Sequence, residues 1–351
     1  MSRIACVVLA LGVAGCGTLA SGAGGDTDLP RGRSGPFRLL DNLELPAGSC
    51  VLRDDTATLG DPSAVALPDG RIDLYATRTD GTARSIVRAR LDGSRSAPGA
   101  PAMALVPTLP WHGGGVGAPD VVRTADGAWM VFDTAAGIGL ARSVDGIAWT
   151  SLDAPLLVAD ATAGELSALR APTLAVRADG TWWLAYESAG AIWGARATGP
   201  QGPFVRVDGD DRTARRDPWV SPGDDAVDAG VVGYASGSVG DPSLRVEASV
   251  AGRELLRLYF SARSAPVAMD GGTTFLRSVG LAGSFDGVHF TRNATAVLPG
   301  ALDPTVSSPT SWNDGALRTW LFVGGRCDLS GRSSGVRVAV APANQRYDRA
   351  P

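Results

Sequence analysis

The sequence predicts an all-β fold, a five-bladed β-propeller, and three observations support this prediction. One unit recurs five times: a proline opens a strand, an Asp-Gly turn usually follows seven residues later, and an aromatic-rich strand comes next. Runs such as residues 71–76 and 181–186 show period-two alternation or β-branched and aromatic residues, as strands do. No segment longer than about ten residues carries a capped helical stripe. Repeated hairpin units of this kind are typical of blades around a central axis.

The five units follow one another through most of the chain. Their opening motifs are Asp61-Pro62-Ser63, Ala118-Pro119-Asp120, Ala171-Pro172-Thr173, Asp241-Pro242-Ser243 and Ser308-Pro309-Thr310. The first three units continue through an Asp-Gly turn, a dipeptide that accepts positive φ in tight hairpins. The fourth unit has a longer turn. A second motif, at 141–149 and 283–290 with a variant at 195–204, predicts an outer hairpin whose aromatic residue packs on the blade.

The residues before the first unit are expected to direct export of the protein. Arg3 precedes an apolar run at 4–13 that is shorter than the roughly 20 residues needed to span a bilayer, so residues 1–15 are expected to be a signal peptide. The small residues before Cys16 resemble a bacterial lipobox, which implies that Cys16 carries a lipid; an ordinary signal peptide cleaved nearby is the alternative. Residues 16–36 would then be the lipidated Cys and a flexible tether, and 37–351 the propeller.

Composition and charge limit the partners. The formal net charge is -4 and no arginine cluster is present, so nucleic acid is not expected. The lipobox resemblance implies a bacterial cell envelope, and Gly17 after the cysteine favours the outer membrane. We expect a monomer with no cofactor. Two Asp-rich stretches, 208–211 and 223–225, are candidates for a structural calcium site, although neither has an ordered ligand spacing.

The cysteines predict one disulfide. Cys6 would leave with the signal peptide and Cys16 would carry the lipid, which leaves Cys50 before the first blade and Cys327 after the main strand of the last. A bridge between them would join the two ends of the ring, and an exported protein can keep it. Two free thiols or a metal-binding pair are the alternatives.

The opening motifs, the Ser-x-Asp-Gly hairpins and the Thr-Gly-Pro-x-Gly-Pro-Phe segment at 198–204 resemble the five-bladed β-propeller glycosidases. This clan includes arabinanases, β-xylosidases, invertases and levansucrases, and the resemblance covers residues 55–342. It implies that the residues beside each opening proline face a central funnel and that the ligand is a glycan or an oligosaccharide. Glycoside hydrolysis needs two carboxyl groups, one ionised and one protonated.

The resemblance assigns some catalytic residues and departs from the pattern at others. It implies that Asp61 is the general base, and Asp120 matches the motif of the second blade. The third blade has Ala171 where the clan has an Asp, and the fourth has Asp241 one residue after the position of the usual Glu. Asp241 and Glu165 are therefore the candidate acids. Each of these carboxyl groups could instead be structural, accepting backbone hydrogen bonds.

Three further residues are candidates for substrate binding. Arg170 occupies the position of a Glu in the clan's Glu-x-Pro pattern, and its guanidinium could pair with Asp61 or Asp120 or bind an anionic sugar. Trp111 and His112 precede the second blade, where the clan places substrate-facing loops; a buried packing Trp is the alternative. His112 and His289 are far apart in sequence, so a zinc site is not expected, and no catalytic metal site is predicted.

Two hypotheses follow. The first is an envelope-anchored, glycoside hydrolase-like propeller with a degenerate or remodelled active site, and the second is a non-catalytic propeller that binds a glycan or another envelope component. A carboxyl group across the funnel from Asp61 would distinguish them, because the fold alone does not determine function.

Overall fold

The structure is a computed structural model. It describes residues 37–40, 50–93, 101–165, 168–210, 216–223, 233–248, 253–269, 272–293, 295–299, 306–313, 319–327 and 334–341. The predicted signal peptide, Cys6, Cys16 and the tether lie outside the described residues. Within the described residues, no helix is long and apolar enough to cross a membrane.

The predicted five-bladed β-propeller is confirmed. Each blade is an antiparallel sheet, and in the first four blades the described strands follow in chain order. Blade 1 has β3 (Thr58–Ala66), β4 (Ile72–Asp80), β5 (Ala83–Leu91) and β6 (Ala102–Leu105). Blade 2 has β7 (Gly117–Thr124), β8 (Gly127–Asp133), β9 (Ile138–Ser143) and β10 (Thr150–Ser151). Blade 3 has β11 (Arg170–Val176), β12 (Trp182–Ser188), β13 (Ala191–Ala197) and β14 (Val205–Val207).

Blade 4 contains an inserted hairpin, and blade 5 contains the last three strands that the structure describes. Blade 4 has β15 (Ser238–Ala248), β16 (Glu254–Arg263), β19 (Arg277–Ser284) and β20 (Thr291–Arg292), with a small hairpin of β17 (Val267–Met269) and β18 (Gly272–Thr274) inserted. Blade 5 has β21 (Ser307–Asn313), β22 (Thr319–Arg326) and β23 (Ser334–Val340). Two short 3₁₀ segments, Pro110–His112 and Ala161–Ala163, lie in the connections between blades.

The N-terminal segment closes the ring. Strands β1 (Arg38–Leu39) and β2 (Leu52–Arg53) both pair with β23, so residues from before the first blade complete the sheet of the last. The predicted disulfide between Cys50 and Cys327 is confirmed, with Cα atoms 5.1 Å apart and 277 residues apart in sequence. The bridge therefore links the segment just before β2 to the end of β22.

The core lies between the blades. Five clusters of buried apolar residues are found in the described part of the chain, one at each interface between neighbouring blades. The aromatic residues of the repeated unit are among the largest fully buried side chains: Tyr75, Phe132, Tyr186, Phe260 and Phe322 are all essentially inaccessible to solvent. Burial of each contributes about 1.5–3 kcal/mol, which explains why an aromatic recurs at this place in every unit.

The Ser-x-Asp-Gly motifs connect the third and fourth strands of blades 2 and 4. In the first copy, Ser143 Oγ accepts from the N–H of Gly146, and Asp145 Oδ1 accepts from the N–H groups of Ile147 and Ala148. The copy at Ser284 and Asp286 repeats these bonds. The side chains thus fix an outer hairpin, as the sequence predicts, and lie away from the axis.

Candidate functional site

The residues before the five opening prolines surround the axis. Each has φ between 44° and 50°, and in each blade the pairing of the first two strands is interrupted at this point. Proline has no N–H to give to the ladder, so the chain bulges there. These residues are Asp61, Ala118, Ala171, Asp241 and Ser308. They and their prolines line an open depression of about 310 Å³ on the axis.

In blades 2 to 5 the bulge frees a backbone N–H that a side chain of the preceding blade accepts. Ala118 N donates to Thr77 Oγ1 (2.7 Å), and Ser308 N donates to Ser261 Oγ (2.8 Å). In blades 3 and 4 the acceptor of this N–H is a carboxylate instead of a hydroxyl. Ala171 N donates to Asp133 Oδ2 and Asp241 N to Glu187 Oε2, both at 3.3 Å. The ends of the second strands therefore bring Asp133 and Glu187 to the funnel.

Four carboxyl groups form one group beside the axial depression: Asp61 and Asp241 line it, the charge of Asp61 acts on Asp133 and Asp241, and both of these act on Glu187. Burial raises the pKa of Glu187 to about 7, and the negative charge of Asp241 adds to the rise. Burial and the charge of Asp61 likewise raise the pKa values of Asp133 and Asp241. Like charges in a poorly solvated site favour the protonated form of some members, so the group can hold a proton near neutral pH.

Asp61 and Asp241 are joined through the opening residue of blade 5, which lies between their blades. Ser308 Oγ donates to Asp61 Oδ1 at 2.8 Å. Hydrogen bonding by Ser261 and Ser308 around the Asp241 carboxyl group opposes part of the rise in its pKa. Of the predicted site residues, the structure brings Asp61 and Asp241 together.

Two glycines leave room for charged side chains from the preceding blade. A Cβ at Gly240, directly before Asp241, would overlap the Glu187 carboxylate. A Cβ at Gly117 would overlap the guanidinium of Arg84, which forms an ion pair with Asp133 at 2.8 Å. These glycines therefore determine where the carboxylate and the guanidinium lie.

Arg170 is at the rim of the same group. Its side chain is exposed, and it pairs across the ladder with Glu187. Its positive charge lowers the pKa of Glu187, but not enough to offset the effects of burial and of Asp241.

Asp120 has different surroundings. It is buried on the axis at the position after the proline, where Oδ1 accepts from Ser63 Oγ (3.0 Å) and Oδ2 from Thr173 Oγ1 (2.8 Å). Leu174 N also donates to Oδ2, at 2.9 Å, and Arg245 forms an ion pair with Oδ1 at 3.3 Å. Both oxygens are used in holding blades 1 to 4 together, and this favours a structural role.

Glu165 lies apart from the group of four carboxyl groups and is held by other side chains. It is 2% exposed, and Arg206 and Arg216 pair with its carboxylate at 2.8 and 2.9 Å. Tyr186 Oη also donates to it. Hydrogen bonds from Arg206 and Tyr186 oppose the effect of burial, and the pKa of Glu165 is lowered. An acid that is held ionised at neutral pH is poorly suited to protonate a leaving group.

Trp111 and His112 face the interior of blade 2. Trp111 stacks on Phe132, with ring centroids 6.0 Å apart, and His112 is fully buried. His112 Nδ1 accepts from the N–H groups of Thr108 and Leu109, so its proton is on Nε2, directed at Ser151 Oγ. Burial lowers the pKa of this imidazole. These contacts hold the connection between blades rather than a ligand.

In the part of the chain that the structure describes, no group of three or more His, Cys, Asp or Glu side chains is arranged to hold a metal ion. Asp208 accepts backbone bonds from Asp210 and Asp217, as in a turn. Asp211, Asp224 and Asp225, from the two stretches considered for calcium, lie outside the described residues.

The sequence predicts Asp61 and Asp241 but misses Asp133 and Glu187. Both missed residues end the second strand of a blade, directly opposite the residue two before the opening proline. The signal that could have found them is this register, since the repeat places one such position in every unit.

Comparisons with known proteins agree with the fold. No protein-family model matches the chain, and no curated protein matches it in sequence. Solved structures do. One is described with the GH130 family of mannoside phosphorylases, which contains glycoside hydrolases that target β-1,2-mannosidic linkages in Candida mannan. It has a TM-score of 0.62 at 15% identity, covering 88% of this chain and 95% of that one.

Two further similar structures are a family-43 glycoside hydrolase and an arabinanase. A thermostable family-43 glycoside hydrolase has a TM-score of 0.52 at 13% identity, covering 81% of this chain and 89% of that one. The native arabinanase of Bacillus subtilis has a TM-score of 0.52 at 13% identity, covering 82% and 96%. The chain thus shares the five-bladed propeller fold of the GH130 and GH43 glycosidases, as the motifs of its sequence imply.

Proposed function

We propose that the funnel hydrolyses glycosidic bonds, with Asp61 as the ionised carboxylate and Glu187 as the general acid. The observation that carries the proposal is Glu187, whose pKa is raised to about 7 by burial and by the charge of Asp241; Asp241 in turn lies within the reach of the charge of Asp61. Pairs of carboxyl groups with separated pKa values are the usual basis of acid and base roles in one site. The charge of Asp61 raises the pKa values of its neighbours Asp133 and Asp241, so Asp61 lies within the same group of carboxyl groups.

The proposed hydrolysis uses these two carboxyl groups and one water molecule. Glu187 gives its proton to the glycosidic oxygen as the bond from that oxygen to the anomeric carbon breaks. Water supplies the new oxygen on the anomeric carbon, and Asp61 either takes a proton from this water or first forms a covalent bond to the sugar. Asp241 stabilises the protonated form of Glu187 before the transfer, because its charge raises that pKa.

Similar structures support the reaction class. The solved structures named above are a family-43 glycoside hydrolase, an arabinanase and a protein of the GH130 family. At 13–15% identity they share the fold with this chain, so the proposal depends on its own carboxyl groups. The acid that we propose comes from the second strand of blade 3, not from the opening strand of blade 4, and the active site would be remodelled in this sense.

A non-catalytic glycan-binding propeller is the second candidate. It is favoured by Ala171, which stands where the clan's pattern has an Asp, and by the missing Glu before Pro242. In this case the funnel carboxyl groups would hold sugar hydroxyls by hydrogen bonds without bond cleavage.

Hydrolysis of a panel of plant, fungal and bacterial polysaccharides by the purified protein separates the two candidates. The variants are Asp61→Asn, Glu187→Gln and Asp241→Asn, and Asp55→Asn is the control because its carboxylate is on the surface with 80% of the side chain exposed. We expect turnover by the wild type and by Asp55→Asn, and a loss of about 100-fold or more in Asp61→Asn and Glu187→Gln. Binding without turnover, unchanged in Asp61→Asn, would instead identify a binding propeller.

We also propose that Cys16 anchors the propeller to the bacterial cell envelope, at the outer membrane. The support is the positive charge of Arg3, the apolar run at 4–13 and the small residues before Cys16. The disulfide fits an oxidising compartment. Incorporation of labelled fatty acid by the wild type, and its loss in Cys16→Ser, is the expected result; a Cys16→Ser protein that still carries the label would contradict it.

A further inference from the structure

Arg170 breaks the repeat at a position where the other blades have a small residue. The residue two before the opening proline is Gly60, Gly117, Gly240 and Ser307 in blades 1, 2, 4 and 5, and it is Arg170 in blade 3. Two of these glycines make room for a charged side chain, as described above. Blade 3 is thus the one blade that presents a long cationic side chain of its own at this level of the funnel.

The guanidinium of Arg170 is not used by the fold. In the described part of the chain its side chain makes no hydrogen bond and no ion pair, and it is exposed to solvent. The other arginine of the mouth, Arg84, is occupied by Asp133 at 2.8 Å. Arg170 lies next to Glu187 in the ladder. A guanidinium has five N–H donors in a planar fork that fits a carboxylate.

We propose that Arg170 binds a carboxylate on the substrate, so that the funnel takes an acidic sugar such as a uronate. This inference rests on the proposed function, because it places the acidic sugar in the same site as Asp61 and Glu187. Arg170 is adjacent to the proposed acid, so the carboxylate would belong to a sugar that flanks the scissile bond.

The charges at the mouth favour a carboxylate over a phosphate. Asp61, Glu187 and Asp241 are close by, and a group with two negative charges would be repelled more strongly by them than a group with one. A single free guanidinium matches one carboxylate. The neighbouring carboxyl groups in turn suit the hydroxyl groups of a sugar, which donate hydrogen bonds to them.

The test uses one acidic polysaccharide before and after chemical reduction of its carboxyl groups, so that the two substrates differ only at the carboxylate. The variants are Arg170→Gln and Arg170→Lys, with Arg53→Gln as the control because Arg53 lies on the surface beside Asp55. We expect kcat/KM on the acidic form to fall about 10- to 100-fold in Arg170→Gln, with partial recovery in Arg170→Lys. On the reduced form Arg53→Gln should match the wild type, and Arg170→Gln should lose much less than on the acidic form, with a shifted pH profile because the charge of Arg170 also lowers the pKa of Glu187.

Calorimetry with a uronate oligosaccharide and the same variants separates failure of the inference from failure of the proposed function. Wild-type hydrolysis of the reduced form alone would overturn the inference and leave the function standing. No hydrolysis, with uronate binding that is lost in Arg170→Gln, would overturn the function and keep the carboxylate site. Cleavage of the reduced form that depends on added inorganic phosphate and on Arg170 would overturn the choice of a carboxylate, as would the absence of any uronate binding.

Discussion

At the scale of single residues, the same side chain takes different roles in different surroundings. Glu165 and Glu187 are both withdrawn from solvent, but two arginines and a tyrosine hold Glu165. Among the described residues, the hydrogen bond to the Glu187 carboxylate comes from the backbone N–H of Asp241, whose charge lies beside it. The pKa is therefore lowered in Glu165 and raised to about 7 in Glu187.

Glu187 should make the stability of the fold depend on pH. Its pKa rises from 4.5 in the unfolded chain to about 7 in the fold, so the folded state loses stability as pH rises from about 4.5 to 7. Replacing Glu187 with Gln removes the ionised form and keeps an oxygen for Asp241 N. We expect Glu187→Gln to raise the free energy of unfolding by about 1–3 kcal/mol at pH 8 and by little at pH 4.

Denaturant unfolding at the two pH values measures this difference, and Asp55→Asn serves as the exposed control. An equal effect of Glu187→Gln at pH 4 and pH 8 would contradict the raised pKa.

At the scale of elements, the opening strand of each blade and the second strand of the preceding blade act as a unit. The proline at the start of the opening strand forces a bulge, and the freed N–H is accepted by the end of the neighbouring second strand. This link is made four times with four acceptors, Thr77, Asp133, Glu187 and Ser261. The repeat thus builds one scaffold on which the chemistry varies from blade to blade.

Gly240 and Gly60 offer a matched pair for testing this unit, because both precede an Asp-Pro in an opening strand. A Cβ at Gly240 would overlap the Glu187 carboxylate, whereas a Cβ at Gly60 would have nothing within 4 Å. We expect Gly240→Ala to displace Glu187 and lower kcat/KM about 10- to 100-fold, with Gly60→Ala close to the wild type. Steady-state kinetics on the same substrate makes the comparison, and equal activity of the two variants would argue against the placement of Glu187.

Asp120 gives a second prediction at this scale, since its carboxylate links opening strands across the axis. In Asp120→Ala, Arg245 would lose its ion-pair partner, and Ser63 and Thr173 would lose an acceptor. Removing one member of such a pair costs about 3–5 kcal/mol. Thermal and denaturant unfolding should show this loss, while kcat of the folded fraction stays close to that of the wild type. A stable but inactive Asp120→Ala protein would instead indicate that Asp120 is a catalytic residue.

Much of the arrangement of the blades and part of the candidate site could be predicted from the sequence. The opening motifs give the blades, their order and the positions of Asp61 and Asp241, because a proline and an Asp-Gly turn leave local signals. Glu187 and Asp133 leave no such local signal, since each lies at the end of an apolar strand; only their register opposite the residue two before the opening proline marks them. Arg84, which reaches Asp133 from the preceding blade, is hidden for the same reason.

At the scale of the whole molecule, the ring is closed by strands and by one covalent bond. The N-terminal strands pair with β23, and the Cys50–Cys327 bridge lies beside them. The position of the two cysteines outside the first and last units made this bridge predictable from sequence. The pairing of β1 and β2 with β23 was not, because neither two-residue strand carries the repeated motif.

Removing the disulfide should weaken the closure. The bridge spans 277 residues, and loss of a native disulfide typically costs about 2–5 kcal/mol through the greater freedom of the unfolded chain. We expect Cys50→Ser, Cys327→Ser and the double variant to lower the Tm by the same amount, and a reductant to lower that of the wild type alone. A double variant as stable as the oxidised wild type would contradict the role of the bridge in closing the ring.

The most direct test of the central claim is the rate of Glu187→Gln on two glycosides of the same sugar, one with a poor leaving group and one with a dinitrophenyl leaving group. A general acid is needed for the poor leaving group and not for the activated one. We predict a loss of about 100-fold or more on the first, little loss on the second, and a wild-type rate on the first that falls as pH rises through about 7. Equal rates for wild type and Glu187→Gln on the poor leaving group, or no hydrolysis of either glycoside by the wild type, would contradict the assignment of this funnel as a glycosidase active site.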